Sequence, residues 1–288
     1  MILITGGSGF IGAEVVSSLL RTGREVRCLV RDPEVLTKRP NLAVCRGDIT
    51  DMAAVEEAVE GCESIVHLAA VMKGGDADIF RANVTGTRNI ARAAQKYGVK
   101  KFVFASTENV LPEKKDAYAT SKMQAEDIVR ELKEHVILRF SAAYGRGCRG
   151  NMRSLFNAIQ GRKLIPVIGN GDNYIQPIFV ADAARYAVNA LDCGEGTFIA
   201  AGKQAVTMND FIDRIASAFH KNVIKIHAPL SFVKAGAAVL ACFGDRSITS
   251  AMVDYATLNR SHDISTTIKL LRHEPVNLED GLRLTTAC

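Results

Sequence analysis

Eight residues near the start, T-G-G-S-G-F-I-G at 5–12, constrain this chain more than any others. They follow the apolar run M-I-L-I at 1–4 and place glycines at Gly6, Gly9 and Gly12, the spacing G-x-x-G-x-x-G. The pattern predicts a strand, a tight turn and a helix from Gly12 onward. A helix start offers backbone N–H groups with no partner inside the helix, together with the positive end of its dipole, and both suit a pyrophosphate. Gly6 and Gly9 keep side chains out of the path of the phosphates, Phe10 and Ile11 belong to the same candidate cofactor-binding turn, and Gly12 lets the helix pack close to the strand. Any tight strand-to-helix turn favours glycine, so the repeat alone leaves both a dinucleotide site and a plain turn open.

The rest of the chain supplies the context. Apolar strand patterns at 1–5, 26–30, 42–46, 64–68, 101–106, 136–140 and 196–200 alternate with helix patterns at 12–22, 51–60, 83–97 and 117–133. Near-continuous apolar strands such as S-I-V-H-L at 64–68 are what a sheet covered on both faces requires. With right-handed crossovers the expectation is an α/β fold, a doubly wound, mostly parallel Rossmann sheet, with the glycine turn where such a sheet holds its cofactor. The expected domains are a dinucleotide-binding domain over 1–145, to which 177–201 returns, and a small C-terminal substrate-binding cap from 146–176 and 202–288.

Composition narrows the partners. The net charge of +5 suits an anionic cofactor, and no basic run is long enough for nucleic acid. No apolar stretch reaches about 18 residues, so no membrane span is expected. The 7 cysteines are scattered and the 6 histidines lack ligand spacing, which argues against both a disulfide frame and a metal site. The first strand begins at Met1 and leaves no room for a signal peptide, so the expected location is cytoplasmic.

The strand ends carry the candidate contacts. The second strand, V-R-C-L-V at 26–30, is followed by Arg31 and Asp32. An acid at that end would accept from a ribose 2′-hydroxyl, as for NAD; a guanidinium suits a 2′-phosphate, so Arg31 favours NADP over NAD. The plainer alternative leaves Arg31 solvated and Asp32 capping the loop to Pro33. After the third strand, Asp48 is placed to accept from the adenine amino group with Ile49 against the ring, while Thr50 or Asp51 caps the next helix. The fourth strand ends in Ala69 and Ala70, small enough for a ligand to approach closely. His67 reads as a hydrogen-bonded core histidine rather than a catalyst.

Chemistry requires more than a cradle. Tyr118 and Lys122 open a helix at positions i and i+4, so both point from one face. A phenol titrates near 10 and is a poor proton shuttle at neutral pH; a neighbouring ammonium and an oxidised nicotinamide favour its phenolate. A Ser or Thr hydroxyl from F-V-F-A-S-T at 102–107 can hold the substrate oxygen. A second such pair, Tyr97 and Lys101, is rejected because Gly98 ends its helix.

With H-L-A-A at 67–70, N-V-T-G-T-R-N at 83–89, Y-A-T-S-K at 118–122, L-R-F-S-A-A-Y-G at 138–145 and F-V-A-D-A-A at 179–184, the chain resembles an extended short-chain dehydrogenase/reductase of the NAD-dependent epimerase/dehydratase type. The resemblance implies that Tyr118 is the acid/base, Lys122 binds the nicotinamide ribose, Thr107 orients the substrate and Ser106 lies beside the nicotinamide. It places Asn83 near the active site, gives Asp182 a structural role bracing the sheet, and implies a homodimer through helices 83–97 and 117–133. Three departures stand out. The segment from Thr107 to Tyr118 is short, Arg139-Phe140 replaces the pattern's Arg-Pro, and Ile175 stands where sugar-nucleotide epimerases carry a diphosphate-binding arginine. The second strand is similar to the dihydroflavonol reductase and 3β-hydroxysteroid dehydrogenase branches, which act on apolar substrates.

The leading expectation is therefore an NADP-preferring oxidoreductase, with a small molecule bearing a secondary alcohol or ketone as substrate. A nucleotide-sugar epimerase, dehydratase or reductase with tightly bound NAD is the alternative, and a non-catalytic NADP-binding subunit is the third reading. The last is disfavoured by the retained tyrosine–lysine pair. In the C-terminal third, Arg146, Arg149 and Arg153 read as a solvated basic loop or as contacts to an anion, and the helix expected over 208–220 is capped by Thr207 or Asn209. The apolar stretch 230–243 reads as a buried cap helix, with a lid, a partner surface or a membrane-touching helix as alternatives.

Overall fold

The computed structural model describes residues 1–235, 254 and 257–287. The chain divides into two units, Met1–Ser141 with Val180–Ala200 and Ile264–Glu274, and Ala142–Phe179 with Ala201–Asp263 and Pro275–Cys288.

The first unit opens with β1 (Ile2–Thr5), α1 (Phe10–Arg21), β2 (Val26–Val30), β3 (Leu42–Arg46), α2 (Met52–Val59) and β4 (Ser64–His67). Then α3 (Asp76–Phe80) runs through a π-helical turn, Arg81–Thr85, into α4 (Gly86–Lys96). β5 (Lys101–Thr107), α5 (Ala117–Arg130) and β6 (His135–Phe140) follow, and the chain later returns as α7 (Val180–Asn189), β11 (Gly196–Ala200) and α9 (Ser265–Leu271). All seven strand patterns fall on one parallel sheet, ordered β11–β6–β5–β4–β1–β2–β3. The chain travels outward from β1 to β3 and then crosses back to β4, so β1 and β4 flank the switch point where such sheets bind ligands.

Burial explains the apolar strands: Ile2, Leu3 and Ile4 are buried, as are Val136, Ile137 and Leu138, because helices cover both faces of the sheet. On one side α2, α4 and α5 pack together over Leu3, Leu29, Phe102 and Phe104, with small Ala91, Ala93 and Ala94 letting the helices approach. Helix starts follow capping chemistry. Asp51 accepts from the N–H groups of Ala53 and Ala54 to open α2, and Asp116 accepts from Ala119 to open α5. Gly98, at φ 67°, ends the run after Tyr97, and Lys101 starts β5, so that pair shares no helical face.

The sequence assigned all of 202–288 to the cap, whereas Ile264–Glu274 belongs to the sheet unit. The reason is polar pairing across long sequence gaps: Thr267 donates its hydroxyl to the Ile199 carbonyl of β11, and His273 Nε2 meets Asp182 Oδ1 at 2.7 Å. The buried Asp182 expected to brace the sheet thus has His273 as its partner. The helix expected from 83 begins at Asp76 instead, upstream of the π turn.

The second unit holds β7 (Ala143–Tyr144), α6 (Gly150–Gly161), β8 (Leu164–Ile168), β9 (Tyr174–Ile175), β10 (Ile178–Phe179), β12 (Val206–Thr207), α8 (Met208–Ala218), β13 (Ile224–Ala228) and α10 (Leu278–Thr286). Its strands form three short pairs, β7–β10, β9–β12 and β8–β13. Thr207 caps α8 by accepting from the Asp210 N–H, and Phe211, Ile212 and Ile215 are buried. Arg146, Arg149 and Arg153 are exposed. Of the stretch 230–243, residues 230–235 are helical with Phe232 exposed, and 236–243 lie outside the described residues.

Gly12 shows how tightly the first turn is built: a Cβ there would lie 2.1 Å from the Gly6 carbonyl oxygen. Gly12→Ala is expected to cost roughly 1–3 kcal/mol in urea unfolding. Gly161→Ala, where a Cβ would meet nothing within 4 Å, serves as the control. Equal midpoints for the two variants would show that the turn has slack.

Candidate functional site

The cradle forms where β1 ends. Gly6 has φ 73°, and a Cβ on it would stand 2.7 Å from the Ala69 nitrogen. The ends of β1 and β4 therefore touch backbone to backbone, and only glycine fits. The Gly9 N–H closes the turn on the Gly6 carbonyl at 2.9 Å, and Gly9 becomes the N-cap of α1. Among the described residues no side chain caps this helix, so the N–H groups at Phe10, Ile11 and Gly12 are left for a ligand, with no acid in the first turn to repel an anion. Ala69 is half-buried and Ala70 exposed.

The neighbouring strand ends fit an adenosine. Arg31 is exposed after β2, while the Asp32 carboxylate accepts from the Glu34 N–H at 3.1 Å and turns into the following 3-10 turn. Asp48 accepts both the N–H and the hydroxyl of Thr50 on Oδ1, at 2.9 and 2.8 Å. Burial works against its charge. The two Thr50 hydrogen bonds and the Arg31 and Arg81 guanidinium groups outweigh burial and hold the carboxyl below its usual range. Ile49 is only 9% exposed and packs on Gly86, so its side chain serves the core more than a ring.

Tyr118 lies in the first turn of α5 and Lys122 one turn on. The two environments differ. Burial, with the Asp116 carboxylate adding to it, pushes the Tyr118 phenol well above its ordinary value. Lys122 is 2% exposed. Burial pushes its ammonium down to about 7, opposed in part by the Glu126 charge. Its nitrogen sits 3.9 Å from the centre of the Phe104 ring, and among the described residues it has neither a hydrogen-bond acceptor nor a carboxylate partner. Thr107 accepts from the Asn109 N–H at 3.2 Å, which leaves its hydroxyl hydrogen to donate.

The family model described as "NAD dependent epimerase/dehydratase family" matches residues 2–198. The chain belongs to that family. A "3 beta-hydroxysteroid dehydrogenase/Delta 5-->4-isomerase" of Mycobacterium tuberculosis is 30% identical over 238 residues, 69% of this chain and 64% of that protein. The match thus spans less than two-thirds of that relative's length. The N-acetyl-alpha-D-glucosaminyl-diphospho-ditrans,octacis-undecaprenol 4-epimerase of Escherichia coli O157:H7 is 25% identical over 253 residues, 79% of this chain and 75% of that one. The fold is that of Thermus thermophilus UDP-glucose 4-epimerase in complex with NAD, with a TM-score of 0.76 at 24% identity, covering 99% of this chain and 97% of that one. Among the described residues no helix is long and apolar enough to cross a membrane, and no cluster of His, Cys, Asp or Glu has the geometry to hold a metal ion.

In this epimerase/dehydratase family member two polar groupings escaped the sequence reading. Ser106, expected beside the nicotinamide, donates its hydroxyl to Glu126 Oε1 at 2.5 Å and so faces α5. The fully buried Glu126 also takes Arg139 through Nε at 2.9 Å and a terminal nitrogen at 2.6 Å, and Arg130 at 2.6 Å. Burial opposes that charge, but the Arg139 and Ser106 bonds prevail and keep Glu126 ionised. The departure at Arg139 therefore has a partner, Glu126, and the available clue was its spacing from Tyr118 and Lys122 on one helical stripe. The second grouping joins Asn83 to α5: its amide donates to Ser121 Oγ at 2.9 Å and pairs both ways with the Val71 backbone. His67, as expected, is a core residue, bonded to Thr5 and Thr87 and stacked on Phe104.

Lys122 sets a pH signature. A free lysine titrates near 10.4, so between about 7 and that value the unfolded chain holds a proton that the folded chain has lost, and stability rises with pH. Without cofactor, Lys122→Met is expected to stabilise the chain at pH 7 by roughly 2–4 kcal/mol, with the gain shrinking by pH 9. Urea midpoints at the two pH values check this. A variant no more stable than wild type at pH 7 would mean that Lys122 is already paired.

Proposed function

We propose that the chain is an NADP-preferring oxidoreductase that moves a hydride between a nicotinamide cofactor and a secondary alcohol or ketone of a small, largely apolar substrate. The observation that carries this reading is Lys122, a buried amine one turn on from Tyr118 in α5 that has no counter-ion among the described residues. Such a group costs stability, and hydroxyls arriving with a ligand would relieve the cost.

The residues present fit that cofactor. The uncapped start of α1 and the glycine turn would hold the pyrophosphate, Asp48 Oδ2 would accept from the adenine amino group, and the small Ala69 and Ala70 leave space beside them. Arg31 would take a 2′-phosphate. The preference for NADP rests on Arg31 being exposed while Asp32 is turned away to the Glu34 N–H. When bound, the nicotinamide gives or takes the hydride. Tyr118 holds or moves the proton at Oη. Its raised affinity for that proton keeps the phenol protonated in the empty site, and the Lys122 charge works the other way, easing loss of the proton both for donation in reduction and for the phenolate that oxidation needs. Thr107 donates its free hydroxyl hydrogen to the substrate oxygen.

The 4-epimerase relative supports a second reading, a nucleotide-sugar epimerase with tightly held NAD. Against it, Ile175 is apolar, and its backbone is taken by pairing with Val206 of β12. A homodimer through α4 and α5 and a cytoplasmic location complete the proposal.

Tyr118→Phe is expected to lower kcat in a carbonyl-substrate screen by about 100-fold or more while leaving NADPH binding within about twofold. Full turnover in that variant would remove Tyr118 as the acid/base. Arg31→Ala is expected to reduce the NADPH:NADH preference by about 10-fold or more, read by fluorescence titration. An unchanged preference would refute the 2′-phosphate assignment.

A further inference from the structure

We propose that His67 and Thr87 are positioning residues for the reaction, links in a buried hydrogen-bond chain that ties β1, beside the glycine turn, to the start of the catalytic helix α5. The inference rests on the reading of Tyr118 and Lys122 given above.

The direction of every bond follows from counting hydrogens. The Ser121 hydroxyl donates to the Tyr118 carbonyl at 2.7 Å, so its oxygen must accept from the Asn83 amide. The Asn83 amide cannot be flipped, because its Oδ1 accepts from the Val71 N–H at 2.8 Å while its Nδ2 donates to the Val71 carbonyl at 2.9 Å. The Thr87 hydroxyl donates to the Asn83 carbonyl at 2.6 Å, so it can only accept from His67 Nε2, 3.0 Å away. His67 is therefore the Nε2–H tautomer, and its bare Nδ1 accepts from the Thr5 hydroxyl at 2.5 Å. Thr5 in turn accepts from the Ala69 N–H at 3.3 Å. Each hydroxyl has one hydrogen, and each is used once.

Burial makes the chain consequential. Thr5, His67 and Ser121 are 0% exposed and Asn83 and Thr87 1%, so no water replaces a missing link. Removing one member orphans its neighbours in a low-dielectric interior. Burial, with the Lys122 charge adding to it, pushes the imidazole down to about 3, so the neutral tautomer persists at working pH. Asn83 sits in the π-helical turn Arg81–Thr85, the kind of local irregularity that recurs at functional sites. One end of the chain holds Ala69, the wall opposite Gly6; the other holds the turn that carries Tyr118. The chain thus sets the spacing between the cradle and the groups that meet the nicotinamide half of the cofactor.

Thr87→Val keeps the side chain's shape and removes both bonds, whereas Thr87→Ser keeps both. With the full chain, Thr87→Val is expected to weaken NADPH binding by about fivefold or more, yet to leave adenosine 2′,5′-bisphosphate, which lacks the nicotinamide half, within about twofold. Thr87→Ser should match wild type for both ligands. NADH and 5′-AMP take their places if the chain prefers NADH. Should Thr87→Val fail to fold, Ser121→Ala removes the last link, and the same split is expected. Wild-type NADPH affinity in the variants, equal losses for both ligands, or a serine variant as weak as the valine would each overturn the inference and leave the cofactor reading intact. A wild-type chain that binds neither dinucleotide would overturn the cofactor reading itself.

Discussion

Where β1 and β4 end, the Gly6 backbone lies against the backbone of Leu68 and Ala69 with no room for a side-chain carbon between them. That contact sits at the sheet's switch point. It forces the chain to turn at once into α1, where the Gly6 carbonyl oxygen occupies the space that a Cβ on Gly12 would need. The result is a helix start left open, uncapped and free of acidic side chains. Every other element of the cradle is placed by the order of strands around this point: Arg31 and Asp48 on one side, Ala69, Thr107 and α5 on the other.

The site concentrates groups that folding alone would avoid. Among the described residues Lys122 is buried without a counter-ion, and the nearest acid on its helical stripe, Glu126, is already occupied by Arg139, Arg130 and Ser106. The capping carboxylate that α5 needs, Asp116, makes the neighbouring phenol harder to ionise. The buried Lys122 costs stability in the empty chain, and under the proposed function a cationic nicotinamide and ribose hydroxyls would offset that cost. Stability given up at a site in this way is a mark of function.

The strands were legible because doubly covered strands are apolar throughout, and the glycine turn because its spacing is a backbone requirement. Tyr118 and Lys122 could be paired because helical periodicity fixes which residues share a face. Less visible were the partners separated by long stretches of chain. Nothing local links Glu126 to Arg139, Asp182 to His273, or Thr267 to Ile199, and the last two pairings return Ile264–Glu274 to the sheet unit. The family resemblance implies Ser106 beside the nicotinamide, yet strand alternation puts its hydroxyl on the face opposite Thr107, toward Glu126. The π turn at Arg81–Thr85 has no composition signal, so the helix was expected to begin later than it does. The His67 chain combines both difficulties: its members come from β1, β4, the π turn, α4 and α5, and each looks like ordinary core polarity alone.

Net hydride transfer with Tyr118 as the proton carrier is tested most directly by isotope transfer. NADPH deuterated at C4, on the (R) and (S) faces separately, would be incubated with the chain and a ketone substrate found by screening. One of the two cofactors, and only one, is expected to deliver a single deuterium to the carbinol carbon, with one NADP⁺ released per product. An inverted sugar product without net cofactor consumption, or NADPH oxidation that leaves no deuterium in any product, would contradict it.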